Sequence, residues 1–240
     1  LFMIASSVIA GLLLKGGFSI AQIFLFTGLA NAVVAGYIFL LVPEYLLRFV
    51  AWVVSRLAYR FKVVGDMSIP VSGPAVLTSN HVSFVDAVIL MAICPRPVVF
   101  VMDHRIFAMP VLGALFRLAR AIPIAPRDEN PAIYDAAFEA AARVLRDGDL
   151  LAIFPEGAIT RDGRLQPFKG GLIKILDSAR ADGLSVQVVP VALQNLWGSY
   201  FSRIEDGRAM VRPFRRGLWS RVGVHVGAPL PAAGLTVDTV

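Results

Sequence analysis

Two apolar runs open the chain, and the second contains no charged residue. The first covers Leu1–Leu14 and ends at a turn signal that begins with Lys15, and the second covers Ile20–Val42. A run of over twenty uncharged residues is long enough to cross a hydrocarbon core of roughly 30 Å as a helix. We therefore expect a transmembrane hairpin over residues 1–44 whose first arm is truncated. The alternatives are a signal-peptide core for the first run and a buried soluble helix for the second.

The next stretch, residues 45–62, mixes apolar positions with regularly placed basic ones. The basic residues are Arg48, Arg56, Arg60 and Lys62. Trp52 and Tyr59 suit the level of lipid headgroups, and the arginines suit lipid phosphates, so we predict an interfacial amphipathic helix over 45–62. By the positive-inside rule, this basic cluster places everything after Val42 in the cytoplasm. The expected location is the inner (cytoplasmic) membrane, with the domain that follows facing the cytoplasm.

Short apolar runs alternate with helical patterns in the rest of the chain. Strands are predicted at Ala75–Thr78, Val98–Met102, Leu150–Phe154, Val186–Leu193 and Val222–Val226. Helices are predicted at Ala87–Ile93, at Leu172–Ala179 and between an N-cap at Asn130 and a stop at Gly148. Strands without polar alternation are typical of a parallel sheet covered on both faces. We predict an α/β fold with a mostly parallel central sheet covered by helices over residues 63–231, then a linker or tail over 232–240.

Composition narrows the choice of partner. Hydrophobic residues make up 57% of the chain and charged residues 17%, with a formal net charge of +6. A basic chain with this apolar excess favours lipid over nucleic acid, so we expect no nucleic-acid partner. The single cysteine, Cys94, excludes an internal disulfide and is expected to be an inert core residue. His81, His104 and His225 are far apart in the sequence, so no metal site is expected.

A first group of candidate catalytic residues spans Asn80–Asp86, directly after the strand Ala75–Thr78. Ligand sites of α/β folds lie at such strand ends. His81 is a candidate general base, and Asp86 can fold back from the first turn of the next helix to orient it. Ser83 is the expected N-cap of that helix. The competing interpretation is a hydrogen-bonded loop histidine among ordinary capping residues.

A second group, Phe154–Gly157, follows the strand Leu150–Phe154. Glu156 brings a charge to the mouth of the sheet, and Gly157 allows close approach of a ligand to the backbone. The residues that follow and suit phosphate or polar ligands are Thr160, Arg161 and Lys169. Taken alone, the Pro-Glu-Gly sequence is also an ordinary surface turn.

Together the two groups resemble the glycerolipid acyltransferase family, which includes 1-acylglycerol-3-phosphate acyltransferases. Asn80–Asp86 matches the family's Asn-His-x-Ser-x-x-Asp block, Phe154–Gly157 matches its Phe-Pro-Glu-Gly block, and Val188–Val191 resembles its strand with a central Pro. The family's Gly-x-x-Phe-Ile-x-Arg block is altered over residues 121–127, where the Gly is absent. Its phosphate-holding arginine therefore corresponds to Arg127 or to its competitor Arg120. This weaker block also resembles the acyltransferase part of transporter–acyltransferase fusions.

The resemblance implies a membrane-bound O-acyltransferase that moves a fatty acyl group from a thioester to a hydroxyl of a lysophospholipid or glycerol-phosphate lipid. His81 would be the general base, oriented by Asp86, with direct transfer and no acyl-enzyme. The substrate-binding residues would be Asn80, Ser83, Arg127, Glu156, Gly157, Thr160 and Lys169. No tightly bound cofactor is implied, since acyl-CoA or acyl carrier protein serves as co-substrate. The implied partners are the membrane lipid, the lysophospholipid acceptor and that acyl donor.

Two alternatives come from other functional classes. A lipid hydrolase would need a nucleophile elbow, and the sequence has no Gly-x-Ser-x-Gly. A non-enzymatic transporter remnant with a lipid-binding domain would keep its function after His81→Ala. Under the fusion interpretation, the two apolar runs would be the last two transporter helices.

Overall fold

The computed structural model describes residues 2–198 and 219–236. The chain divides into two compact units, Leu1–Pro43 and Glu44–Val240. Residues 199–218 of the predicted domain over 63–231 lie outside the described residues. So do residues 237–240 of the predicted tail over 232–240.

The first unit consists of two consecutive helices, α1 (Phe2–Lys15) and α2 (Ile20–Leu41). Ser19 begins α2 with a capping box: its hydroxyl accepts the Gln22 N–H at 3.2 Å, and the Gln22 side chain accepts the Ser19 N–H at 2.8 Å. Among the described residues, α2 alone is long and apolar enough to cross a membrane by length and composition. None of its 22 residues is buried.

Helix α3 (Pro43–Ala58) is shorter than predicted, and strand β1 (Tyr59–Val64) follows it at once. The prediction of one helix over 45–62 is therefore wrong at its end. Six consecutive residues of β1 pair in parallel with a strand near the end of the chain, and a backbone that pairs in this way cannot continue a helix. Tyr59, predicted at headgroup level, is buried.

The second unit is built on one eight-stranded sheet within the described residues. The remaining strands are β2 (Ala75–Ser79), β3 (Val98–Asp103), β4 (Ile122–Ile124), β5 (Leu150–Ile153), β6 (Gln187–Gln194), β7 (Ser220–Val226) and β8 (Leu230–Pro231). The order is β1-β7-β6-β2-β5-β3-β4, and β8 also pairs with β6. All pairs are parallel except β6 with β7 and β6 with β8, which confirms the mostly parallel sheet. The prediction missed β1, β4 and β8.

Helices cover both faces of this sheet. They are α4 (Asp86–Ile93), α5 (Pro110–Leu118), α6 (Pro131–Arg146) and α7 (Gly171–Ala181), with 3₁₀ turns at Asp66–Ser68 and His104–Ala108. Alternate strand residues point to opposite faces. Leu77 of β2 packs with α4 in one core cluster, whereas its neighbour Val76 packs with α6 and α7 in a second. The central strands are thus packed on both faces, and the loops at their ends start from this packed core.

The two predicted helix caps have different outcomes. Asn130 caps α6 as predicted, because its side chain accepts the Ile133 N–H at 3.0 Å. Ser83 does not cap α4, since the N-cap position falls on Val85, which makes no side-chain cap bond. The reason is that Asp86 starts the helix and folds its own carboxylate back over the preceding loop, where it accepts the Ser83 N–H at 2.9 Å.

Candidate active site

The parallel strands bring the two candidate groups to one edge of the sheet. Strands β2 and β5 are parallel neighbours with Ala75 opposite Leu150, so the loops after their carboxyl ends meet. His81 follows β2, and Phe154–Gly157 follows β5. Strand β4 runs in the same direction, and Arg127 follows it at this edge.

The sheet also separates the two candidate phosphate-binding arginines. Arg120 precedes β4, so it lies at the opposite edge, where its guanidinium donates to Asp149 at 3.2 Å. Asp149 stands just before β5, which confirms that this is the amino end of the strands. Of the two arginines, only Arg127 shares an edge with His81.

His81 and Asp86 are in direct contact. The Nδ1 atom of His81 lies 2.8 Å from Oδ2 of Asp86, and the same oxygen accepts the N–H groups of Val82 at 2.7 Å and Ser83 at 2.9 Å. The Asp86 side chain is fully buried, whereas the His81 side chain is 20% exposed. Asp86 thus holds one ring nitrogen and leaves Nε2 as the nitrogen for a substrate.

Burial raises the pKa of the Asp86 carboxyl above its ordinary value. The hydrogen bond and the charge of His81 act against this rise in pKa, followed by the N–H groups of Ser83 and Val82. The second oxygen, Oδ1, is buried and has no hydrogen-bond partner in the described part of the chain. The carboxylate is therefore supported through Oδ2 alone, on the side that faces the imidazole.

The loop after β5 holds the backbone of His81 at both ends. The His81 N–H donates to Oε1 of Glu156 at 2.7 Å, and the His81 carbonyl accepts the Thr160 N–H at 2.9 Å. The imidazole also stacks on the ring of Phe154, with centroids 4.1 Å apart and an interplanar angle of 13°. Backbone, ring plane and Nδ1 are thus all fixed by neighbouring groups.

Glu156 accepts a second backbone N–H, from Gln166, at Oε2 and 2.7 Å. Through these two bonds, Glu156 connects the His81 loop to the segment around Gln166. Its side chain is buried, with only 3% exposed. Sequence reasoning missed Gln166, and no signal could have revealed it, because the donor is a main-chain N–H that every residue except proline carries.

The residues predicted to bind substrate fall into two groups by exposure. Ser83, Glu156 and Thr160 are buried, and the amide of Asn80 is occupied by the backbone of Leu193, with bonds of 2.9 and 2.7 Å. The exposed members are Arg127, Gly157 and Lys169. The exposed members lie where a dissolved or membrane-bound ligand can reach their side chains or backbone.

Gly157 and Lys169 are in contact at the surface of the site. Gly157 has φ +66°, a backbone conformation that favours glycine, and a Cβ there would lie 2.9 Å from Nζ at the flexible end of the Lys169 side chain. The Lys169 N–H donates to the Pro155 carbonyl at 2.8 Å. Lys169 makes no ion pair within the described part of the chain, which leaves its ammonium free to meet an anion.

Cys94 is separate from this site. It follows the last residue of α4, a helix of eight residues that spans about 12 Å from Asp86. Burial raises the pKa of the Cys94 thiol to about 12, with the charges of Arg48 and Arg96 acting against it. A protonated, buried thiol at the far end of the helix cannot act as a nucleophile at His81.

In the described residues, no cluster of three or more His, Cys, Asp or Glu side chains could hold a metal ion.

The fold and the site together define a class of protein: an α/β protein with a His–Asp pair at the carboxyl edge of a parallel sheet. The family model for Acyltransferase matches residues 60–194, which is more than half of the chain. The chain therefore belongs to this acyltransferase family, and the resemblance found in its motifs is confirmed.

Similar proteins carry consistent names. A 1-acyl-sn-glycerol-3-phosphate acyltransferase of Limnanthes douglasii is 39% identical over 102 residues, which cover 42% of this chain and 36% of the relative. The human 1-acyl-sn-glycerol-3-phosphate acyltransferase alpha is 28% identical over 181 residues, or 75% of this chain and 58% of the relative. The chain thus spans about a third to three fifths of the length of these relatives.

A solved structure supports the fold. The crystal structure of the 1-acyl-sn-glycerophosphate acyltransferase PlsC from Thermotoga maritima matches with a TM-score of 0.56 and 20% identity, over 75% of this chain and 65% of that one. At this identity, the likeness shows a shared mixed α/β architecture with a mostly parallel sheet.

Proposed function

We propose that this chain is a membrane-bound O-acyltransferase that transfers a fatty acyl group from an acyl thioester to a hydroxyl of a lysophospholipid or glycerol-phosphate lipid. The observation that carries the proposal is the 2.8 Å contact between His81 Nδ1 and Asp86 Oδ2 beneath a partly exposed imidazole. Family membership and the names of the relatives support the reaction class.

In the proposed reaction, Nε2 of His81 takes the proton of the acceptor hydroxyl, and the oxygen attacks the thioester carbonyl carbon. The new C–O bond forms, the C–S bond breaks, and the proton passes from the imidazolium to the leaving thiolate. Asp86 stabilises the imidazolium that exists between these two proton transfers. Base catalysis of this kind contributes roughly 10²–10⁴-fold to a rate. No step needs an acyl-enzyme or a tightly bound cofactor.

We assign contact with the acceptor phosphate to the exposed residues Arg127, Gly157 and Lys169. Lys169 has no acidic partner in the described residues, and Arg127 lies only against the ring of Tyr134, at 5.8 Å from its centroid. Both cations can therefore pair with a phosphate. We assign to Asn80, Ser83, Glu156 and Thr160 the positioning of the His81 loop, because their polar atoms bond to backbone groups or are buried.

The acyl donor, acyl-CoA or acyl carrier protein, and the membrane setting are parts of the same proposal. The apolar helix α2 would cross the bilayer as one arm of a hairpin over residues 1–44, and the exposed Trp52 and Tyr45 of α3 would lie at headgroup level. By the positive-inside rule, the basic residues after Val42 support a catalytic domain on the cytoplasmic face of the inner membrane. Both the acyl tail and the acceptor lipid partition into that bilayer.

The test uses membranes that contain the wild-type chain or His81→Ala. A labelled acyl thioester is supplied with a panel of lysophospholipids and lysophosphatidate, and the diacyl product is followed over time. We expect product from the wild type with at least one acceptor, and a loss of about 10²-fold or more in His81→Ala at equal folded amount.

Each other outcome has a definite meaning. Equal product from wild type and variant would reject His81 as the base. No product from a folded wild-type chain with any donor or acceptor would reject the enzyme and favour a transporter remnant with a lipid-binding domain.

A further inference from the structure

Helix α5 exposes an apolar face, although it belongs to a catalytic domain with a well-packed core. The residues of this face, called here the α5 patch, are Val111, Leu112, Leu115 and Leu118, which are 79%, 39%, 41% and 47% exposed. Positions 111, 115 and 118 follow the spacing of one helix side. The opposite side is packed, because a Cβ at Gly113 would collide with the Phe107 carbonyl.

The α5 patch lies on the same side of the sheet as the exposed apolar side of α3. Ala119, directly after α5, lines a small cavity together with Leu47 of α3 and Met91 of α4. Met91 packs in the core cluster of α4, on the face of the sheet opposite to α6 and α7. Helices α3, α4 and α5 therefore lie on one face of the sheet. Of these, α3 and α5 expose large apolar side chains to solvent.

The other face differs sharply. Helices α6 and α7 expose no large hydrophobic side chain, and their exposed residues include acids such as Asp135 and Asp177 and bases such as Lys174 and Arg180. A monomeric soluble domain rarely exposes a large apolar surface without a partner for it. The asymmetry indicates that the face of α3, α4 and α5 is covered by something apolar.

Charge identifies the covering surface. The exposed charged residues of α3, α4 and α5 are both arginines, Arg56 and Arg117. Of the acids on these helices, Asp86 is buried and Glu44 is partly buried. A second copy of the chain would bring these arginines towards one another across a two-fold interface. Anionic lipid headgroups would instead attract them near the membrane surface.

Chain connectivity agrees with this choice. One residue, Val42, separates the end of α2 from the start of α3. If α2 spans the bilayer as proposed above, α3 must begin at the bilayer surface. We propose that the α5 patch is a second lipid contact, so that α3 and α5 together dock this face of the domain onto an anionic leaflet. The contact is independent of acyl transfer and is tested without an activity measurement.

The experiment places an environment-sensitive fluorophore on the full chain in nanodiscs of phosphatidylcholine and phosphatidylglycerol, one chain per disc. Val111→Cys carries the reporter on the α5 patch, and Asp177→Cys carries a matched reporter on α7, at a residue whose side chain is 58% exposed. The native Cys94 is buried with a thiol pKa of about 12, so it does not compete for the label. Spin-labelled lipids quench a reporter within the headgroup and acyl boundary, and iodide quenches one in water.

We expect the reporter at residue 111 to emit at shorter wavelength and to lose most of its emission to spin-labelled lipid, while the reporter at 177 responds to iodide alone. The double change Leu115→Glu with Leu118→Glu should abolish the lipid quenching at 111, with an unchanged far-UV dichroism spectrum. Both leucines are exposed, so their replacement leaves no cavity in the core.

Three results would overturn the inference. Iodide quenching at 111 in a chain that stays with the disc rejects the docking alone. A blue shift at 111 that needs two chains per disc and shows no lipid quenching assigns the α5 patch to a second copy. Loss of the chain from the disc rejects both the docking and the membrane span.

Discussion

Glu156→Gln replaces the carboxylate that holds two backbone N–H groups of the site. The wild-type oxygens accept the N–H groups of His81 and Gln166, both at 2.7 Å. A glutamine has one oxygen, so its amide nitrogen must face one of the two N–H groups, donor against donor. The substitution keeps the size of the side chain and changes only this pairing.

The structure sets the size of the effect. One buried hydrogen bond to a charged acceptor is lost, which costs about 1.5–3 kcal/mol of unfolding free energy. If the His81 N–H is the one that loses its partner, the loop that carries the imidazole shifts. A displacement of about 1 Å in a catalytic group lowers a rate by about 10²-fold. Because Glu156 is 3% exposed, we expect no direct contact with the acceptor and an unchanged KM.

The assay measures kcat and the KM for the acceptor of wild type, Glu156→Gln and the control Gln166→Ala. The control keeps its backbone N–H and hence the bond to Glu156, so its kcat should fall little. We expect kcat of Glu156→Gln to drop by about 10²-fold at constant KM. A raised KM with a preserved kcat would refute the reasoning and assign Glu156 to direct contact with the acceptor.

Three further predictions follow from the same geometry. Asp86→Asn should lower kcat by roughly 10²–10⁴-fold while the chain stays folded, because the imidazolium loses its partner; wild-type turnover by this variant would contradict the proposed pair. Cys94→Ala should keep full activity. The native thiol should resist alkylation at pH 8, because a pKa of about 12 leaves a thiolate fraction of about 10⁻⁴. Labelling as fast as in the unfolded chain would contradict the burial of Cys94. Lys169→Met should raise the KM for a phosphate-bearing acceptor about tenfold. The control Lys174→Met removes a cation that lies 4.0 Å from the centroid of Phe138, and it should leave this KM unchanged. Equal effects of the two changes would reject a phosphate contact at Lys169.

The sequence predicted elements well where local interactions decide them. Helix α6 is an example: Asn130 accepts the Ile133 N–H three residues on, and this contact depends on nothing outside the turn. Strand β1 is the opposite case. Its partner β7 lies some 160 residues further on in the chain, so periodicity in residues 59–64 alone could not separate it from the end of α3.

The same division applies to the candidate site. The motif spacing identified His81 and Asp86 and the loop after β5, because their chemistry lies in residue types that a sequence displays. Exposure was not predictable, and it separates the accessible Lys169 and Gly157 from the buried Glu156 and Thr160. Burial depends on which segments pack over a residue, and those segments come from distant parts of the chain.

By itself, the sequence determined the α/β class, the family, the apolar helix at the amino end and the two motifs, since all of these follow from residue type and short spacing. Tertiary structure alone decided between Arg120 and Arg127, because strand direction assigns them to opposite edges of the sheet. It also decided that Glu156 holds the backbone of His81 and that Leu47 of α3 and Ala119 after α5 line the same small cavity. These are contacts between segments far apart in the chain, and only the folded chain brings them together.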